Sequence, residues 1–309
     1  MTDSPHIPVL LSAVLQSFES CPKGYIVDCT LGYAGHSSAL LEHHKTISIV
    51  GIDRDKEALD FSQKRLEPFH SRVRLYQGDF AHTLPKITQQ PIVGVLADFG
   101  VSSLQLDKRD RGFSFESDTL DMRMDQNAPL SAYEVVNHYE ASQLAYIFRE
   151  YGEIRQAGQL ADAIIKTRMN KPINSGKALS TIAQKILPKG GKIHPATRMF
   201  QAIRIEVNDE LGQIEGLLDA LEEMRPPGAI IALITFHSLE DRLVKNRFRR
   251  WAQRCICAPD AIRCTCGKNH ALGNVMTKKP ITATEEEILQ NPRSRSAKLR
   301  CFQFKGAET

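Results

Sequence analysis

The chain has 309 residues, 42% of them apolar, enough to bury a sizeable core in about two domains. Its longest apolar run, Ala229 to Phe236, is far short of a membrane span, and Met1-Thr2-Asp3-Ser4-Pro5 lacks the basic-then-apolar pattern of a secretory signal, so a cytoplasmic protein with no membrane partner is expected. Seven cysteines without an export signal argue against a disulfide framework, and the net charge of +4 conceals an asymmetry: Arg242 to Lys305 holds 15 Lys or Arg against 4 Asp or Glu, a footprint that suits a polyanion.

In chain order, four apolar runs alternate with helix-like segments: Tyr25 to Val27, Ile47 to Ile52, Val73 to Tyr76 and Ile92 to Ala97. This rhythm predicts βαβ units and a mostly parallel sheet. Each run ends near a carboxylate (Asp28, Asp53, Asp79, Asp98), and open α/β sheets collect ligands at the carboxyl ends of their strands. An Asp after a strand also caps helices, but four in succession point to one crevice.

The first turn, Asp28-Cys29-Thr30-Leu31-Gly32-Tyr33-Ala34-Gly35-His36-Ser37, reads as nucleotide-binding. Asp53, 21 positions after Gly32, stands where an acidic side chain reaches ribose hydroxyls. The glycines give G-x-x-G rather than the dinucleotide pattern G-x-G-x-x-G. Asp28 would repel a pyrophosphate but can accept a hydrogen bond from an amino-acid ammonium. Both features favour S-adenosylmethionine over a nicotinamide dinucleotide.

From about Gln105 the periodicity turns helical, with Leu144, Ile147, Phe148 and Tyr151, then Leu160, Ala163, Ile164 and Thr167, and no clear strand before Ala229. This predicts a helical insertion, whose last helix, carrying Val207, Leu211, Ile214, Leu218 and Leu221, returns the chain to the sheet. Pro226-Pro227-Gly228 stops that helix, and Leu299 to Phe304 alternates like a closing strand. The expected domains are 1–105 and 209–309 for the sheet and 106–208 for the insertion.

Asp98 and the following Phe99-Gly100-Val101-Ser102-Ser103 end the fourth strand, where an acceptor amine would meet the methyl donor. An Asp there can accept N–H bonds from an exocyclic amine, raising its nucleophilicity and aiming it. The usual aminomethylase signature has Pro-Pro and an aromatic after the Asp or Asn, so the local match is partial. His237, at a strand-to-helix junction, is a second catalytic candidate; Ser238 with Asp241 three positions on would cap the helix there. Arg198 and Arg204, after His194-Pro195, are phosphate contacts or ion-pair partners. Arg247, Arg249, Arg250 and Arg254 form the basic face of a helix with Leu243, Val244, Phe248 and Trp251, either solvated or on RNA. Cys255-x-Cys257 and Cys264-x-Cys266 cluster, with His270 nearby, but the spacing departs from the C-x₂-C of zinc ribbons, and no metal is assigned on it.

Together the motifs resemble the bacterial 16S ribosomal RNA cytosine-N4 methyltransferases, the MraW or RsmH family, from end to end. The blocks are His6-x-Pro8-Val9-Leu10, the Asp28 to Ser37 turn, Gly51-Ile52-Asp53-Arg54-Asp55, Gly78-Asp79-Phe80, Asp98 to Asp107, Arg111-Gly112-Phe113-Ser114-Phe115, Asp121-Met122-Arg123-Met124-Asp125, Thr197 to Ile205, Phe236 to Arg242, and Asn291 to Arg300. The resemblance implies a Rossmann-like methyltransferase interrupted by a helical domain. It further implies direct transfer from S-adenosylmethionine to N4 of a decoding-centre cytidine, position 1402 of 16S rRNA, within the small ribosomal subunit. Carried over, the cofactor contacts are Ala34, Gly35, His36, Asp53, Asp79, Phe80, Asp98 and Gln105, beside Asp28. Asp98 and His237 are the catalytic candidates, and Arg198, Arg204, Arg247 and Arg250 the RNA contacts. Ala34 stands where the family usually has Gly, and Leu104 where Pro is common. A nicotinamide-dependent oxidoreductase and a non-catalytic RNA-binding or assembly protein are the rival readings.

Overall fold

The computed structural model describes residues 7–87, 91–101, 105–106, 108–188, 194–258, 261 and 263–307. His6, Ser102, Ser103, Leu104 and Asp107 lie outside them. The chain divides into two compact units, Met1–Gly100 with Gly212–Thr309, and Val101–Leu211.

The first unit is built on one sheet. Strands β1 (Gly24–Asp28), β2 (Ile47–Asp53), β3 (Val73–Gln77), β4 (Ile92–Asp98) and β5 (Ile230–Thr235) run parallel, and β8 (Lys298–Phe304) lies antiparallel on β5. The order is β3-β2-β1-β4-β5-β8-β6, with β6 (Gly273–Val275) and β7 (Ile281–Thr282) both paired to β8. Leu299 to Phe304 therefore does not close the sheet. The two short strands beyond it escaped the sequence reading because Ile281 and Thr282 are exposed and only Gly273 of β6 is buried.

Side chains of successive strand residues point to opposite faces, and here both faces are apolar. Val27, Val50, Ile52, Val95, Ile231 and Leu233 belong to one buried cluster; Ile26, Ile49, Leu96, Ala232 and Ile234 belong to the other. Helix α1 (Leu11–Phe18) and α2 (Gly35–His43) contribute Phe18, Leu40 and Leu41 to the second cluster. The first cluster holds Phe248 and Trp251, whose rings lie 5.4 and 5.3 Å from that of Phe302.

Strand order reverses between β1 and β4, so β1 is followed by a crossover to one side and β4 by one to the other. A crevice opens at such a switch, outside the carboxyl ends of the two strands. Register places Asp28 beside Leu96 and Gly51, and Asp98 beside Ile234, so the strand-end carboxylates share one edge.

The second unit is helical. After α3 (Lys56–Arg65) and α4 (Phe80–Thr83) of the first unit come α5 (Ala132–His138), α6 (Ala141–Glu150), α7 (Ala157–Asn170), α8 (Gly176–Ile186) and α9 (Thr197–Asn208). Their apolar stripes, including Leu144, Ile147, Phe148, Leu160, Ile164, Leu179 and Ile203, form one cluster. Val207 belongs to the last turn of α9 rather than to the returning helix. Asp209 adopts φ 49°, a left-handed conformation that Asp tolerates better than most residues, and α10 (Glu210–Met224) starts anew with Ile214, Leu218 and Leu221 on its buried side. Among the described residues no helix is long and apolar enough to cross a membrane.

Candidate active site

The turn after β1 is shaped by left-handed residues. Gly32 has φ 51° and Ala34 φ 57°, and Ala34 ends the turn as the N-cap of α2. An L-residue with a Cβ is strained in this region, so a Gly would adopt the conformation of Ala34 more readily. Its methyl group is fully buried in the apolar cluster that contains Val9, Leu10 and Leu31. Gly35 admits the chain before α1: a Cβ there would lie 2.6 Å from Cγ of Pro8. The imidazole of His36 is spent on this contact, its Nε2–H donating to the Val9 carbonyl at 2.8 Å, and burial lowers its pKa. The first backbone N–H groups of α2 have no intrahelical acceptors and suit a carboxylate.

Three carboxylates converge at the switch point. Asp28 is 2% exposed; its Oδ2 accepts from Ser37 Oγ at 2.6 Å and its Oδ1 from the Thr30 N–H at 3.2 Å. Burial outweighs these bonds and pushes its carboxyl up to about 6. The backbone N–H of Asp98 donates to Thr30 Oγ1 at 2.6 Å, tying β4 to the turn. The Asp98 carboxyl has a buried oxygen, Oδ1, with no hydrogen-bond partner among the described residues. Burial, with the charges of Asp28 and Glu240 close by, pushes it up to about 8. A buried acceptor without a donor is costly unless a ligand completes it.

Asp53 holds the same turn from β2. Its Oδ2 accepts from Gly32 N–H at 2.7 Å and its Oδ1 from Asp55 N–H at 2.8 Å, while burial pushes its pKa up to about 6. Asp79 caps α4, Oδ1 accepting from His82 N–H at 2.9 Å and from the His82 ring at 2.7 Å. The Phe80 ring lies 6.1 Å from that of Phe99.

Capping at His237 differs from the sequence expectation. Helix α11 (Ser238–Trp251) is capped by His237 itself, whose Nδ1 accepts from Glu240 N–H at 3.5 Å. The Glu240 carboxylate reaches back to the N–H groups of Phe236 and His237 at 2.7 and 3.2 Å. Its other oxygen lies 3.1 Å from His237 Nε2. Both ring nitrogens of His237 therefore face Glu240. Asp241, expected in the cap, instead takes a bidentate contact from Arg300 at 2.7 and 3.2 Å. Thr30, Ser37 and Glu240 were missed in the sequence. Glu240 was the findable one, three residues after a cap position, had His been counted among capping side chains.

The four arginines differ in their partners. Arg247 pairs with Asp219 at 2.6 Å and Glu222 at 3.1 Å, and Arg250 with Glu222, so the basic face of α11 is matched by the acidic face of α10. Arg204 in the helical unit makes a bidentate pair with Glu210 at 2.7 and 3.0 Å, both side chains mostly buried. Arg198 is exposed, reaching the Glu153 carbonyl at 3.3 Å. Gln105 is buried and belongs to the helical unit.

A mostly parallel sheet with buried carboxylates at its switch point and a glycine-bearing turn before the first crossover helix defines a Rossmann-like nucleotide-binding class. The chain belongs to the MraW methylase family, whose model matches residues 3–305. It is 64% identical over 303 residues to the ribosomal RNA small subunit methyltransferase H of a Sulfurovum species, covering 98% of this chain and 99% of that protein. It is 62% identical to the protein of the same name from a Nitratiruptor species and 53% identical to that from Wolinella succinogenes, with 98% of this chain and 99% of each relative covered.

Proposed function

We propose that this methylase transfers a methyl group from S-adenosylmethionine to N4 of a decoding-centre cytidine, position 1402, of 16S rRNA, acting on RNA within the small ribosomal subunit. The single observation that carries the acceptor side is Asp98 Oδ1, a buried acceptor at the end of β4 with no partner among the described residues. An exocyclic amine donates to such an oxygen and is thereby held with its lone pair aimed outward.

S-adenosylmethionine supplies an electrophilic methyl group on a positively charged sulfur. The residues present suit it. Asp28, ionised above about 6, and Asp98 once it ionises give negative character to a buried crevice, favouring an ammonium and a sulfonium. Backbone N–H groups of Gly35 and His36, after Ala34, would receive the cofactor's carboxylate, Asp53 its ribose hydroxyls, and Phe80, with Asp79 beside it, would border the adenine.

Positive charge passes to N4 as the new C–N bond forms, and one amine proton must then leave. Asp98 orients the amine and, in its ionised form, takes that proton and returns it to water; a carboxyl that titrates near 8 by itself would be drawn down into that form by a cationic sulfonium beside it. No cysteine nucleophile is needed, because the amine attacks without prior addition to the ring. His237 acts as a positioning residue, holding Glu240 against the start of α11. On the RNA side, Arg198 and the exposed guanidinium of Arg250 meet phosphates, while Arg204 and Arg247 hold helices together.

Methyl transfer from labelled cofactor to purified small subunits, followed by nucleoside mapping, tests reaction, acceptor and position together. Label in N4-methylcytidine at the single expected position is the predicted outcome. Stoichiometric cofactor binding with no label in RNA would leave only an assembly role.

A further inference from the structure

Between the end of α11 at Trp251 and the start of β6 at Gly273 the chain has no helix or strand among the described residues. A connection of that length needs something to order it. Its feet are joined by backbone bonds, Leu272 N–H to the Trp251 carbonyl at 2.7 Å and His270 N–H to the Arg254 carbonyl at 3.1 Å. Within the stem lie Cys255, Cys257, Cys264 and Cys266.

The four sulfurs all fall within 4.8 Å of one another. Cys255 and Cys264 are 3.6 Å apart, Cys264 and Cys266 3.6 Å, Cys255 and Cys266 3.5 Å, and Cys257 and Cys264 4.0 Å. Four thiolates about a zinc ion, with Zn–S bonds of about 2.3 Å, form a tetrahedron whose edges are about 3.8 Å. The separations bracket that edge and are far from the ~2 Å of a disulfide. The Cys264 and Cys266 pair meets it despite the C-x-C spacing, which sequence reasoning had counted against a metal.

Apolar packing does not account for the cluster. Cys29 and Cys301 are buried in the core, whereas none of these four is buried and Cys264 is exposed. Backbone N–H groups are instead turned on the sulfurs: those of Lys268 and Ile256 on Cys266, those of Thr265 and Cys266 on Cys257, and that of Cys257 on Cys255. Such donors spread the charge of a tetrathiolate. Gly267 at φ 77° and Lys268 at φ 57° make the left-handed turn that brings the Lys268 N–H back to Cys266. His270, the other available ligand, is engaged one shell out, its Nε2 donating to the Cys266 carbonyl at 2.8 Å.

We propose that Cys255, Cys257, Cys264 and Cys266 bind one Zn²⁺ as a structural tetrathiolate site that closes this basic loop. Binding takes all four sulfurs as thiolates, releasing to water whatever thiol protons they carry, and involves no change of oxidation state. The cysteines follow the C-terminal end of α11, whose N-terminal end carries His237 and Glu240.

The test uses the full chain, purified reduced and without chelator. Elemental analysis is expected to find one zinc per chain, released in full by a thiol-specific mercurial. Cys257→Ser and Cys264→Ser are expected to lose it, and Cys21→Ser, outside the cluster, to keep it. Because a cluster variant can fail to fold, Co²⁺ is also titrated into wild-type protein stripped of metal, where one equivalent should produce thiolate-to-cobalt charge transfer and the intense visible bands of a tetrahedral site. Zinc below about a tenth of an equivalent together with no tetrahedral cobalt spectrum overturns the proposal, as does recovery of the four cysteines as disulfides from protein purified under native conditions.

Discussion

Replacing Asp98 by Asn separates what this buried carboxyl does for the reaction from what it does to the fold. The amide has the same shape and keeps a carbonyl oxygen where Oδ1 lacks a partner among the described residues, but it carries no charge and takes no proton. In an unfolded chain an Asp loses its proton near 3.9; folded, Asp98 keeps it until about 8. Between those values the unfolded state binds fewer protons, so stability falls as pH rises, by about 1.4 kcal/mol per unit. Carried to pH 7 this penalty has a ceiling of about 4 kcal/mol, and coupling to the nearby Asp28 carboxyl reduces it to roughly 2. Asp98→Asn is therefore expected to be about 2 kcal/mol more stable than the parent at pH 7, the difference shrinking toward zero near pH 4. Methyl transfer should slow on the order of 10²-fold, about 2.7 kcal/mol. Urea unfolding at the two pH values and single-turnover transfer to small subunits measure both effects. A variant less stable than the parent at pH 7, or one with an unchanged single-turnover rate, refutes the reasoning.

Charge in the crevice makes cofactor binding pH-dependent. Asp28 and Asp53 ionise near 6 and Asp98 near 8, so calorimetry should show S-adenosylmethionine binding tighten as pH rises through that window, more steeply than S-adenosylhomocysteine, which lacks the sulfonium charge. Equal slopes for the two would mean that these carboxylates do not face the sulfur. Gly35→Ala sets a Cβ 2.6 Å from Pro8 Cγ, so it should lower stability by ~1–3 kcal/mol and weaken cofactor binding; an unchanged melting temperature would contradict the close approach. Arg204→Ala leaves Glu210 buried without its bidentate partner and should cost about 3–5 kcal/mol in denaturant unfolding. Arg198→Ala should leave unfolding unaltered while reducing the salt dependence of RNA binding by about one phosphate contact, and a large stability loss there would reverse the assigned roles.

Much of the first unit was legible because parallel strands buried on both faces read as apolar runs, and the runs ending at Asp28, Asp53 and Asp98 became β1, β2 and β4 within a residue or so. The antiparallel edge was not: β6 and β7 carry too few buried side chains to leave a pattern, and their existence depends on pairing with β8. The break at Asp209 was hidden for a related reason, since apolar spacing continues across it and only backbone conformation interrupts the helix. Among site residues, Asp98 was recognisable from its strand end. Its orphaned oxygen was not, because an unsatisfied acceptor is a property of everything packed around it.

By itself the sequence determined the sheet's parallel half, the turn from Asp28 to Ser37, the helical insertion and, through its ordered motif blocks, the resemblance to a methylase family, since each of these rests on local spacing. Tertiary structure alone decided which charges have partners. Arg204, Arg247 and Arg250 read alike with Arg198 along the chain, yet three of them pair with Glu210, Asp219 and Glu222, and only the fold brings those carboxylates within reach. It likewise raised Asp98 above its neighbours, because burial and nearby carboxylates shift a proton's affinity and neither is written in the order of residues.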